Sequence, residues 1–132
     1  MTLLRNVLRL QAAVWALAGL GLALVPVRLV VGLMNQTTAG DAAWLRILGV
    51  LAIVVAAQMI LVTRKLEELW WWSWSFVVLE AGVAAVATLN AMFGVPEGAA
   101  GWPWWLLAGA SWGFMLLDLA ALAKAGTERT PV

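Results

Sequence analysis

Apolar residues run through this chain in four long stretches, separated by short segments rich in charge, proline or glycine. A bilayer core of about 30 Å is crossed by about 20 mostly apolar helical residues, so each stretch has the length of a membrane span. The first runs from Leu8 to Val25 and stops at Pro26. The second runs from Ala43 to Val62, between Asp41 and the pair Arg64–Lys65. The third, Trp70 to Phe93, carries one charge, Glu80. The fourth starts after Pro103, at Trp104, and reaches Ala123 with Asp118 as its charge. The pattern predicts an all-α polytopic membrane protein, a single domain over 1–132 with four transmembrane helices in an up-down bundle.

The connections are short, as a compact bundle requires. The longest holds the apolar stretch Val27–Met34 around Arg28, which either lengthens the first helix or lies along the outer surface. Gly94–Gly101 reads as a turn region, and Pro103 suits a first helical turn. The tail from Gly126 to Val132 is expected to fray. The first stretch could also serve as a signal peptide, with Arg5 and Arg9 as its charged end. No small-residue cleavage pattern closes it, so an uncleaved helix is the expectation.

Composition sharpens the class. Apolar residues are 64% and charged residues 11% of the chain, against roughly 45–50% and 25% in a soluble domain. So few charges cannot coat a soluble globule of this size. The chain has no Cys, His or Tyr. That excludes thiol chemistry and Cys-ligated metals, and removes the usual metal ligand and the commonest general base. No cofactor or metal is expected, and an enzyme is disfavoured. A net charge of +1 lacks the basic footprint of a nucleic-acid binder.

Charge also orients the spans. Arg5, Arg9, Arg64, Lys65, Lys124 and Arg129 fall on one side, and Arg28 and Arg46 on the other. Short basic loops stay cytoplasmic, so both termini are expected there. Arginine outnumbers lysine and Ala, Gly and Val abound, which fits a GC-rich bacterial genome and hence a bacterial cytoplasmic (inner) membrane. Trp70, Trp71, Trp72 and Trp74 would enter from the cytoplasmic side, and Trp44, Trp102, Trp104 and Trp105 sit at the outer ends. Indoles favour the headgroup level. Arg46 and the Trp70–Trp74 cluster are therefore candidates for lipid headgroups, the cluster alternatively for a flat lipophilic ligand. Arg46 could instead pair with Asp41 or Glu97.

Small residues at helical spacing offer close helix packing: Gly109 with Gly113, Ala84 with Ala87 and Ala91, Ala12 with Ala16, and Ala52 with Ala56. They serve either packing within the chain or, through Gly109 and Gly113, a homodimer seam.

Four polar side chains fall deep in the spans. With a rise of about 1.5 Å per residue, Glu80 lies within about 3 Å of the bilayer centre and Gln58 and Asp118 about 7 Å from it. Gln11 lies at a comparable level. An ionised carboxylate there costs at least about 2.5–3.5 kcal/mol, so each acid should face the interior and be protonated, paired or hydrated. Glu80 is expected as a neutral acid bonded to Gln58, or to the indole N–H of Trp15 or Trp112. These six residues are the candidates for ligand or proton binding. The structural alternative makes Glu80 an interhelical hydrogen bonder and Asp118 the partner of Arg9 or Lys124.

Arg46-Ile-Leu-Gly49 opens the second span, after a first span ending in Gly19-Leu-Gly21 and Pro26. With four short-looped helices, the chain resembles the DoxX-like group of small bacterial membrane proteins, a likeness that implies a fold and little chemistry. Small multidrug transporters carry an essential Glu in the first helix, which here has no acid. The leading expectation is a non-catalytic accessory or scaffold subunit, or a bundle that binds lipid or isoprenoid molecules. Its partners would be membrane lipids, other membrane subunits or further copies of itself. The alternative is a proton-coupled small transporter or channel using Glu80 and Asp118.

Overall fold

A computed structural model describes residues 1–36 and 42–128. Within them the chain forms helices α1 (Thr2–Leu24), α2 (Val27–Met34), α3 (Ala43–Arg64), α4 (Leu66–Leu69), α5 (Ser73–Leu89) and α6 (Trp102–Glu128). A 3₁₀ turn at Trp70–Trp72 joins α4 to α5, and a π turn at Asn90–Gly94 extends α5. No strand occurs among the described residues. Four helical segments are long and apolar enough to cross a membrane: Thr2–Leu24, Ala43–Arg64, Leu66–Gly94 and Trp102–Glu128.

Each span is longer than the apolar stretch that predicts it. The additions are turns that include charged or polar residues, such as Thr2–Val7 and Lys124–Glu128, because a helix continues past its apolar portion while its backbone bonds remain closed. The expected fraying after Gly126 is corrected as far as Glu128, whose carboxylate holds the Met1 ammonium and clasps the two ends together. Arg129, in the charge count, and Asp41, the possible partner of Arg46, lie outside the described residues.

Of the two readings for Val27–Met34, a separate helix is observed. Val25 is extended (φ −71°, ψ 137°), the conformation that a following proline imposes on the residue before it. Asn35 then ends α2 in the left-handed region (φ 48°), which asparagine tolerates. No residue of α2 is buried. Its end is tied to the α5–α6 connection: Ala100 N–H donates to Asn35 O at 2.8 Å, and Gln36 Nε2 donates to Ala100 O at 2.8 Å.

The helices do not close into an evenly packed ring. α1 packs most extensively on α3 and α5 on α6, while α1 and α6 join the two pairs. Contact between α3 and α5 is slight. The hydrophobic core lies in the half that holds the termini, where Leu4, Leu8, Met59, Leu66, Phe76 and Leu122 converge. In the other half the buried residues are small: Gly19, Gly49 and Ala52 on α1 and α3, and Ala84, Ala87, Ala108 and Ser111 on α5 and α6. Outward faces are rich in large apolar side chains, among them Leu17, Leu61, Val78 and Leu116. Lipid is the solvent such a surface suits.

Closest approach occurs at Gly19 and Gly49. A Cβ on Gly49 would lie 2.5 Å from Ala23 N, and one on Gly19 2.7 Å from Gly49 O. By contrast, a Cβ on Gly109 or Gly113 meets nothing within 4 Å. Packing within the chain through that pair is therefore corrected: both glycines face outward.

Candidate functional site

The core ends at a layer of polar side chains near the middle of the bundle. Gln11 and Trp15 of α1, Glu80 of α5 and Asp118 of α6 all lie within about 5 Å of their helix midpoints along the axis. Gln11 and Trp15 are four residues apart, hence on one face of α1. That face looks at Glu80. Its Oε1 accepts from Gln11 Nε2 at 2.7 Å and from Trp15 Nε1 at 2.7 Å. Gln11, Glu80 and Asp118 are all within 1% of complete burial.

Asp118 is differently placed. Gln11 is the side chain that interacts with its carboxyl and Glu80 the charged group that acts on it. Yet neither Oδ1 nor Oδ2 receives a hydrogen bond, and Gln11 Nε2 gives one of its two N–H groups to Glu80. Gln11 Oε1 is likewise buried without a donor. Three buried oxygen acceptors thus lack a hydrogen bond, while Gln11 Nε2 and Trp15 Nε1 each donate to Glu80. No cation compensates them, for the buried polar or charged residues described are Gln11, Thr63, Ser73, Glu80, Ser111 and Asp118. Arg9 and Lys124 are exposed, and neither reaches the Asp118 carboxylate, whose two oxygens have no hydrogen-bond partner. The expected pairing of Asp118 with either base is corrected accordingly.

The other candidates lie elsewhere. Gln58 is exposed on α3 and makes no hydrogen bond among the described residues, so it does not reach Glu80. It lies about 100° around the helix from Met59 and about 160° from Ala56, off the buried stripe of Ala52, Ala56 and Met59 and on the outward face. Trp112 donates to Thr88 Oγ1 at 3.1 Å, and that hydroxyl donates to Ala84 O at 2.7 Å. Arg46 binds backbone: Nη1 donates to Leu22 O at 3.0 Å and Val25 O at 2.6 Å. These carbonyls end α1 and have no helical partner of their own. A cation at a helix C-terminus is also favoured by the helix dipole. Trp71, Trp72 and Trp74 are about half exposed, Trp71 and Trp72 meeting edge to face with centroids 5.4 Å apart. Trp70 packs against the core.

Sequence reasoning missed Arg46 as the cap of α1, Thr88 as the acceptor for Trp112, and the Gly19–Gly49 crossing. Each is a contact between residues more than twenty positions apart, which a local pattern does not reveal. Buried Ser73, whose Oγ has no partner, was missed as well. It lies seven residues before Glu80, on the same face of α5.

No family model, curated protein or solved structure matches this chain.

Proposed function

We propose that this is a multi-pass protein of the bacterial cytoplasmic membrane, with both termini cytoplasmic, in which Asp118 and Glu80 form a reversible proton-binding centre for proton-coupled transport. One observation carries the reading: in the Gln11–Glu80–Asp118 cluster, three buried oxygens lack a donor and no buried cation balances the acids. A proton on Asp118 supplies a donor where none is bound and leaves that carboxyl uncharged in a medium that would not solvate its charge. Glu80 is held in place by two N–H donors, while Asp118 is the group that exchanges. Because the cluster joins α1, α5 and α6, gain or loss of that proton acts on the contact between the two helix pairs. The six-to-two split of basic residues supports the orientation. Four short-looped helices are also what a DoxX-like chain would have, which supports a relationship in layout alone.

The test uses the whole chain in liposomes. Infrared difference spectra between acidic and alkaline buffer should show a carboxylic C=O band that Asp118→Asn abolishes. Proton flux, followed with an entrapped pH dye, should be lost in Asp118→Asn and Glu80→Gln. A band and flux unchanged in both variants would sink the proposal.

A second reading, a lipid- or isoprenoid-binding accessory bundle, is favoured by a shallow apolar groove between α5 and α6. Val78, Gly82, Val83 and Val86 line it, with Trp104 and Leu107 opposite. A Cβ at Gly82 meets nothing within 4 Å, so an acyl chain can lie against the backbone there. Gly82→Leu fills the groove. Loss of a co-purifying lipophile in that variant, read by mass spectrometry, would support this reading, and an unchanged lipid profile would remove it.

A further inference from the structure

Gln58 has no account in the fold or in the acid cluster. It lies four to five residues from the midpoint of α3, hence about 7 Å from the middle of the span. Its side chain is too short to reach the headgroups from that depth. The residue is exposed and makes no hydrogen bond among the described residues. In a monomer its carboxamide, with two donors and an acceptor, would stand unpaired in hydrocarbon, where polar groups are costly and seek a partner on another helix. The surrounding face is otherwise apolar: Leu51, Val54 and Leu61, at seven and four residues before and three after, are each about half exposed. The extensive contact of α3 is with α1 alone, which leaves this face uncovered.

We infer that this face of α3 is the seam of a homodimer, with Gln58 of one copy paired to Gln58 of the second. The occupant follows from symmetry and chemistry. Copies inserted with the same topology are related by a two-fold axis along the membrane normal, which brings each residue to its own depth on the partner. A carboxamide is self-complementary, so two of them across that axis exchange a pair of N–H···O=C bonds. A Lys or Glu at this position would repel its copy. Leu51, Val54 and Leu61 then pack along the seam above and below the amides. The seam is independent of the proton site, because Gln58 does not contact Glu80 or Asp118.

The absence of native cysteine gives a direct test. Leu61→Cys places one thiol on the seam, and Val78→Cys places one on the outward face of α5 as a reference. In liposomes at low protein density, oxidation should cross-link the Leu61→Cys chain into a dimer, well above the reference. Adding Gln58→Leu should weaken dimerisation by roughly ten-fold, the scale of one or two interhelical hydrogen bonds, and Gln58→Asn should restore most of it. Because Gln58 is exposed, both variants should keep the tryptophan emission of the native fold. Cross-linking no greater than the reference would overturn the seam. So would a dimer that survives Gln58→Leu but is lost on Gly113→Leu, which would place the contact on α6.

Discussion

The two halves of this bundle are held by different means. In the half with the termini, large apolar side chains from every span meet in one core, and polar groups cap it at mid-bundle. In the opposite half the helix pairs stand on small residues, with backbone against backbone at Gly19 and Gly49. An interior of side chains can rearrange by rotamer changes, whereas a backbone contact at van der Waals distance has nothing that can yield. The difference teaches where change can occur: the half that contains the acids has adjustable contacts, and the other acts as a fixed hinge for α1 and α3.

The largest effect should come from breaking the fixed contact. Gly49→Ala puts a methyl group 2.5 Å from Ala23 N and 2.7 Å from Gly19 O. Backbone must move, so a loss of about 3 kcal/mol is expected, at the upper end of overpacking costs. The control is Gly113→Ala, where the new atom meets nothing within 4 Å. That change should stabilise by a few tenths of a kcal/mol up to about 1 kcal/mol, from helix propensity. Unfolding in mixed micelles with rising SDS fraction measures both. Equal losses at the two glycines would erase the contrast between the halves.

Within the core half, the two acids should respond with opposite sign to one substitution. Glu80→Leu leaves Gln11 Nε2 and Trp15 Nε1 buried without an acceptor, at about 1 kcal/mol or more for each orphaned donor. A destabilisation of about 2–3 kcal/mol follows. Asp118→Leu breaks no hydrogen bond, because none is made to the carboxyl. It relieves the burial of two unsatisfied oxygens and should leave stability unchanged or raise it by about 1 kcal/mol. The same SDS titration decides. Similar losses at both positions would mean that Asp118 has a donor and would remove the basis for calling it the exchanging group.

How much of this was legible beforehand depends on whether the signal was local. Four spans follow from apolar runs, because hydrocarbon thickness sets a length that no tertiary contact alters. Glu80 and Gln11 could be placed at one depth by counting residues, and Trp15 was expected to need an acceptor. Gln58 sits at the same depth, yet it faces out. Depth is read from position along a helix, but facing depends on which neighbour the helix packs against, and α3 chose α1 alone. Gly109 with Gly113 shows the same limit from the other side: the spacing is right for close packing, and the fold leaves that face uncovered. Gly19 has the same spacing with Ala23, and both meet Gly49 at the real crossing, yet nothing local sets that pair apart from Gly109 with Gly113. Arg46 was readable as a cation near the outer end, but its partners belong to the carbonyls of another helix.

The smallest expected effect tests whether the fixed half owes anything to Arg46. Its Nη1 binds Leu22 O and Val25 O, which the end of α1 leaves open: Pro26 lacks the N–H that Leu22 O would accept, and Leu29 N–H donates to Pro26 O rather than to Val25 O. Arg46→Leu keeps the apolar stem and removes the donor. Charge-assisted hydrogen bonds are worth about 1.5–3 kcal/mol when desolvated, but Arg46 is half-buried and water or headgroups at that end can replace it. A loss of about 1–1.5 kcal/mol is therefore expected, below that of Gly49→Ala. Arg46→Lys should recover only part, since an ammonium is a more compact and strongly hydrated donor than a guanidinium. Hydrogen exchange of the amides that follow Val25 gives a local readout, because α2 hangs from that corner. Faster exchange in α2 with α3 and α6 unchanged would show that Arg46 anchors the corner, and unchanged exchange throughout would show that the glycine crossing holds it alone.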